Sequence, residues 1–252
     1  MSAIPHRTAT REEWLRERIE LLAQEKALTR ERDALAARIR ALPWVRVEKP
    51  YAFETPAGTA TLAELFAGRS QLLVYHFMFD PGWPQGCQGC SFLADHYDGI
   101  QVHLRQRDLA FITVSRAPLA QIEPFRRRMG WSFPWVSSGD SGFGRDFGVS
   151  FTEAELASGR ATYNFVDTAT GMRELPGLSV FAKDGSGAVH HTYSTFARGL
   201  EEFLTAYRFL DLVPKGREEE GPGGMGWVRH HDRYGDPRWA PPWEQPSPTS
   251  AP

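Results

Sequence analysis

The sequence predicts an α/β protein: a three-layer sandwich with a central mixed sheet, preceded by an N-terminal helical segment. Three observations carry this. Two continuous apolar runs, QLLVYHFMF at 71–79 and LAFITVS at 109–115, have the texture of strands covered on both faces. Segments with helical spacing separate and follow them, and alternation of this kind argues for a parallel core. At 178–195, LSVFAKDGSGAVHHTYST places two β-rich runs around an Asp/Gly/Ser turn, which reads as a hairpin and adds antiparallel strands.

Taken in order, residues 10–42 are rich in Leu, Ala, Glu and Arg and read as helix. Trp14, Leu21, Leu28, Leu35 and Leu42 recur every seventh residue, with Leu15, Ile19 and Leu22 widening the stripe. Such a repeat is expected to be buried, either as a helix pair on its own domain or in a homodimer through the N-terminal helices. Thr29 is placed to cap a second helix, and Pro43 ends the segment. Tyr51–Thr55 reads as extended and Thr61–Phe66 as one helical turn. The first apolar strand follows. Phe92, Leu93, Tyr97, Ile100 and Leu104 then fall at helical spacing. Pro118–Met129 is a helix with its proline where a missing N–H costs little. Residues 132–138, SFPWVSS, form a weaker strand, and 139–160 hold glycines and a short helical FTEAEL. Phe196–Leu210 closes the domain as an amphipathic helix. The boundaries that follow are 1–43 for the helical extension, 44–213 for the domain and 214–252 for a Gly/Pro-rich tail. Trp227, Trp239 and Trp243 hint that part of the tail docks, whereas WVRHHDRY otherwise reads as flexible, solvated chain.

Composition narrows the function. A net charge of −2 gives no non-specific pull towards nucleic acid or an anionic membrane. There is no apolar run of spanning length, and MSAIPHRTATREEW lacks the apolar core of a secretion signal. A cytoplasmic protein is the expectation. In that reducing setting a pair of cysteines points to redox chemistry or metal binding rather than to a structural cross-link.

The chain's two cysteines, Cys87 and Cys90, lie together in DPGWPQGCQGCSF. A CxxC directly after a buried strand and at the head of its helix is the thioredoxin arrangement. Unpaired N–H groups and partial positive charge at a helix start favour a thiolate. Cys87, nearer that start, is the expected nucleophile of lowered pKa, and Cys90, one turn deeper, the resolving thiol. Pro176, just before LSVF, stands where such folds carry a cis-proline facing the cysteines. Asp80, Trp83 and Tyr75 are expected to border a substrate groove.

The chain resembles the DUF899 family of thioredoxin-like bacterial proteins from about residue 10 to 217. The carrying stretches include LPWVRVEKPYAFETPAG, SQLLVYHFMFDPGW, GCQGCSFLAD, HLRQRDLAFITVSRAPL, MGWSFPWVSS, PGLSVF and HTYSTFARG. The resemblance implies a fold similar to thioredoxins and peroxiredoxins rather than a particular reaction. Family members often carry Cys-Pro-Ser-Cys where this chain has Cys87-Gln88-Gly89-Cys90.

Four functions follow in descending order. The first is a thiol–disulfide oxidoreductase acting on a protein or small-molecule thiol or disulfide, with no cofactor required. The second is a Cu(I) or Zn(II) site in which Cys87 and Cys90 are joined by one or more of His76, His103 and His191. The third is a peroxidase. Peroxiredoxins place Thr three residues before the attacking cysteine, and here Pro84 precedes Cys87 by three while Cys87 itself precedes Cys90 by three. The fourth is an interaction protein that uses the N-terminal helices and the tail. No P-loop, GxSxG or GxGxxG motif is present.

Overall fold

The computed structural model describes residue 4, residues 6–220 and residues 224–236. It opens with α1 (Arg11–Arg40), one unbroken helix of 30 residues. A reciprocal cap starts it. The Thr10 hydroxyl accepts from the Glu13 N–H at 3.2 Å, and the Glu13 carboxylate accepts from the Thr10 N–H at 2.8 Å. Thr29 starts no second helix: its hydroxyl donates to the Glu25 carbonyl at 2.9 Å, inside the same helix. No residue of α1 is buried, which overturns the expectation that its stripe packs on the chain's own domain. The reason lies in the body, where both faces of the sheet are covered by other elements.

The body runs β1 (Val45–Arg46), β2 (Ala52–Thr55), β3 (Gly58–Thr61), a 3-10 turn (Glu64–Phe66), β4 (Gln71–His76), α2 (Gln88–Ala94), α3 (Gln101–Gln106) and β5 (Leu109–Ser115). It continues with α4 (Leu119–Arg128), β6 (Trp135–Ser137), α5 (Phe143–Asp146), α6 (Glu153–Ser158), β7 (Ala161–Tyr163), β8 (Val166–Thr168), β9 (Gly177–Lys183) and β10 (Val189–Phe196). A 3-10 stretch (Ala197–Phe203), α7 (Thr205–Leu210) and a final 3-10 turn (Gly224–Trp227) complete it. The main sheet has the order β1-β10-β9-β4-β5-β6-β2-β3, with β4, β5 and β6 parallel and β9 antiparallel to both β4 and β10. This is the thioredoxin-like mixed sheet, with β2 and β3 added at one edge and β1 at the other.

Alternation along the central strands builds two cores. Leu72, Val74, Ala110, Ile112 and Val114 face one side, under Leu65, Phe66 and Phe143. Tyr75, Phe77 and Phe111 face the other, under Phe92, Phe125, Leu200, Tyr207 and Val228. A third, smaller cluster holds Val149, Phe151, Tyr163 and Phe196 beneath the β7–β8 hairpin, which the sequence reading did not anticipate.

Some boundaries shift for identifiable reasons. The strand expected over 71–79 ends at His76, because the next carbonyls turn to other work: Met78 accepts from the Cys87 N–H at 3.1 Å, and Phe79 from the Ala117 N–H at 2.7 Å. The helix expected through Phe92–Leu104 is broken into α2 and α3. Between them Asp98 turns across to accept from the N–H groups of Ser132 and Phe133, both at 2.9 Å. The closing helix is likewise split, at Leu204 (φ −89°, ψ 82°). No helix among the described residues is long and apolar enough to cross a membrane.

Candidate active site

The site is built where β4 hands over to α2. The chain leaves the sheet at Phe77–Phe79, turns at Asp80, and returns to start the helix at Cys87. Asp80 closes the turn by accepting from the Gly82 N–H at 2.9 Å, and it is paired with Arg116 at 2.9 Å. Gly86 sits where a side chain cannot: a Cβ there would lie 2.6 Å from Phe77 and 2.7 Å from Phe125. Cys87 is the N-cap of α2, and its carbonyl receives the Ser91 N–H at 2.9 Å and the Ser91 hydroxyl at 2.8 Å.

Both cysteines are free thiols, 7 % and 2 % exposed. Their environments separate them. The Cys87 pKa is lowered, first by a hydrogen bond from the Cys90 thiol and then by the N–H groups of Cys90 and Gly89, against the opposing cost of burial. Cys90 is pushed well up, chiefly by burial, then by the hydrogen bond its thiol gives to Cys87 and by that neighbour's charge, while a hydrogen bond from the Tyr75 hydroxyl pulls the other way. Tyr75 is therefore not a groove residue: it is buried and touches Cys90 from beneath. Trp83 is half-buried against the core on the α4 side of the loop.

Pro176 precedes β9 as expected, but its peptide bond is trans, as are all those among the described residues. The segment is held extended instead. The Leu175 N–H donates to the Val149 carbonyl at 2.9 Å, and the Pro176 carbonyl accepts from the Tyr163 hydroxyl at 2.7 Å.

The histidines do not gather at the thiols. His76 Nε2 bonds the Ser179 hydroxyl at 2.9 Å, which bonds Ser194 at 2.9 Å, which in turn bonds His191 Nε2 at 2.8 Å. This chain crosses β4, β9 and β10. His103 is exposed on α3. Among the described residues there is no group of three or more His, Cys, Asp and Glu that could hold an ion, so the ligand set drawn from the sequence is not brought together.

One feature escaped the sequence reading, and a second was only hinted at by Trp227. Glu174 is buried, and burial raises its carboxyl to about 8, with Arg116 opposing and the charges of Asp80 and Cys87 adding to the rise. One of its oxygens has no hydrogen-bond partner. It borders a cavity of about 20 Å³ shared with His76, Ser115 and Arg116, room for one water molecule. The second feature is the tail. Far from being solvated, residues 224–236 form a strap over the head of α2. Met225 reaches Gly89 beside Cys87, Trp227 packs edge-on against Phe92 at 5.5 Å, and Val228 and His230 are buried. His230 donates to the Gly86 carbonyl at 2.8 Å and accepts from Arg128 at 3.2 Å, while Arg128 grips Asp232 at 2.9 Å. Trp239 and Trp243 lie outside the described residues.

Among solved structures, the chain is similar to peroxidoxin BcpB from Mycobacterium tuberculosis, at 13 % identity and TM-score 0.43, covering 67 % of this chain and 96 % of that one. A peroxiredoxin Q from Xanthomonas campestris is similar at 16 % identity and TM-score 0.41, with 67 % and 95 % covered. A hypothetical protein from Sinorhizobium meliloti 1021 follows at 12 % identity and TM-score 0.38, with 60 % and 68 % covered. No curated protein matches the chain. The family model described as a bacterial protein of unknown function, DUF899, matches residues 3–234, nearly the whole length, and the chain belongs to that family.

Proposed function

We propose that the chain is a thiol–disulfide oxidoreductase in which Cys87 is the nucleophile and Cys90 the resolving thiol. The observation that carries this reading is the asymmetry of the pair. Cys87 accepts hydrogen bonds from the Cys90 thiol and from two backbone N–H groups, which lowers its pKa, while Cys90 is held up by burial. A low-pKa thiolate beside a protonated partner is what a two-step exchange needs.

In the first step the Cys87 thiolate attacks one sulfur of a substrate disulfide. An S–S bond forms to Cys87, the substrate S–S bond breaks, and the leaving sulfur departs as a thiolate. In the second step Cys90 loses its proton and attacks Cys87. The Cys87–Cys90 disulfide forms and the second substrate thiolate leaves. The substrate has gained two electrons and the protein has lost two. Tyr75 supports the second step, because its hydroxyl hydrogen-bonds the Cys90 sulfur and favours the thiolate form. Glu174 is a proton store. The negative charge on Cys87 helps to keep it protonated, so consuming that charge in a disulfide lowers its proton affinity and frees a proton for a leaving thiolate.

The test is a pair of variants. Cys87→Ser is expected to abolish reduction of a model disulfide, and Cys90→Ser to accumulate a mixed disulfide on Cys87. With limiting iodoacetamide, Cys87 in the Cys90→Ser protein should react at lower pH than Cys90 in the Cys87→Ser protein. The reverse order inverts the assignment, and thiols that stay free under strong oxidant sink the redox reading.

A further inference from the structure

The thirty residues of α1 stand outside the body with their apolar stripe in solvent. Leu21, Leu28 and Leu35 are 49 %, 50 % and 54 % exposed, and Trp14, Leu15, Ile19, Leu22 and Leu42 are exposed with them. Large apolar side chains scattered singly over a surface need no account, but here they form one line along one helix. A seven-residue repeat drifts only about 20° per heptad around a helix, so Trp14, Leu21, Leu28 and Leu35 form a nearly straight seam about 30 Å long on α1, with Leu42 just past its C-cap. The contact between α1 and the body is polar where Arg32 meets Glu202 at 3.6 Å, both of them exposed. Nothing in this says that the body is what the seam was made to meet.

Two features of α1 itself identify the occupant. The first is charge. Residues 11–25 hold five acidic and three basic side chains, and residues 31–40, which face that stretch of the partner when the pair is centred on Leu28, hold two acidic and three basic ones. The helix is thus negative in its first half and positive in its second. A second α1 laid parallel would set like halves together, whereas one laid antiparallel sets each acidic half against a basic half and opposes the two macrodipoles. The second feature is register. The stripe is symmetric about Leu28, with Leu21 and Leu35 seven residues to either side and Trp14 and Leu42 fourteen. An antiparallel pair centred on Leu28 therefore sets Leu28 against Leu28 and Leu21 against Leu35, and brings Trp14 to the turn that carries Leu42, just after the partner helix.

We propose that α1 is a dimerisation helix that pairs antiparallel with the α1 of a second copy of this chain, about a two-fold axis at Leu28. The thiol site is left outside the contact, on the body of each protomer.

The experiment begins with the mass of the full chain in solution, by sedimentation equilibrium from micromolar to submillimolar concentration. A mass twice that of the chain is expected. Leu21→Glu/Leu28→Glu/Leu35→Glu should halve it and leave the near-ultraviolet circular dichroism of the body unchanged. Direction is read by cross-linking in a Cys87→Ser/Cys90→Ser background. Leu28→Cys should give a disulfide-linked dimer on oxidation. Leu21→Cys alone should not, but a mixture of Leu21→Cys and Leu35→Cys protein should. A wild-type chain that is monomeric throughout overturns the proposal, as does a dimer that survives the triple substitution. Self-linking of Leu21→Cys as efficient as that of Leu28→Cys overturns the antiparallel arrangement. A chain ending at residue 236 is the control for the remaining candidate, the Trp-bearing segment 237–252 of the same chain. If that truncation alone converts a monomer into a dimer, the segment and not a second copy covers the seam.

Discussion

At Glu174 a single buried carboxyl ties the stability of the fold to pH. Burial keeps it protonated to about 8, against the ordinary 4.5 of an exposed glutamate. Between those two values the folded chain holds a proton that the unfolded chain has released. The contribution is therefore complete below about pH 4.5, declines as pH rises, and is lost once pH passes about 8. Glu174→Gln keeps the shape and removes the titration. The urea midpoint of this variant should gain on wild type steadily as pH rises through that window, and disulfide reduction should slow through loss of the proton store. A difference in midpoint that is the same at every pH would mean the carboxyl is already ionised in the fold. The sequence makes Cys87 and Cys90 easy to find, because their type, spacing and place after an apolar run all agree. Glu174 carries no such mark: one acid in MRELPG looks like any loop residue. Its role comes from Arg116, Asp80 and Cys87, which lie far from it along the chain. Tyr75 misleads for a related reason. An apolar run covered on both faces does not reveal which face each residue takes, so its contact with Cys90 could not be read from the sequence.

Between elements, the strap and the head of α2 hold each other in place. Gly86 is closed in by the rings of Phe77 and Phe125 on one side, and its carbonyl is taken by His230 on the other. Gly86→Ala would force a methyl group into those rings. Overpacking of this kind costs about 1–3 kcal/mol, so a lower thermal midpoint is expected, and an unchanged one would show that the loop can move aside. His230→Ala acts from the opposite side. It removes a buried hydrogen bond and its packing, worth about 1–3 kcal/mol, which raises the open population of the strap by about fivefold to a hundredfold. Alkylation of Cys87 near neutral pH should accelerate by about that factor. An unchanged rate would mean that Met225 and its neighbours do not limit access to the thiol. Local patterning makes β4, β5 and the β9–β10 hairpin legible, since each rests on a run of like residues, but not the short β1, β3, β7 and β8. It only hints at the strap, through Trp227. WVRHHDRY has loop composition, and its burial depends on grooves formed by α2 and α4. At Pro176 the peptide bond has the ordinary trans state of an X–Pro pair, and Tyr163 and Val149 hold the segment around it.

Across the whole molecule, the fold is limited at the acid end by histidines it keeps neutral. Burial lowers His76 to about 3 and His230 to about 4, while an unfolded histidine takes its proton near 6.5. For both groups the stability is fully present above about 6.5 and is lost as pH falls, through about 4 for His230 and about 3 for His76. Together with Glu174, whose contribution is lost in the opposite direction, they place a maximum of stability between mild acid and neutrality. The two histidines should not fail together. His76 lies in the middle of the sheet, tied through Ser179 and Ser194 to His191, so its protonation is resisted by the whole fold. His230 anchors only the strap, through Gly86 and Arg128. Arg128 adds its own positive charge against a protonated His230, although Asp232 partly compensates. Acid should therefore release residues 224–236 before it unfolds the body. Hydrogen exchange is the measurement. As pH is lowered from about 6.5 towards about 4, and after correction for the intrinsic rate, protection in 224–236 should fall while β4 and β5 keep theirs. Loss of both in one step would show that the strap and the sheet form one cooperative unit, and that His230 has no local equilibrium of its own.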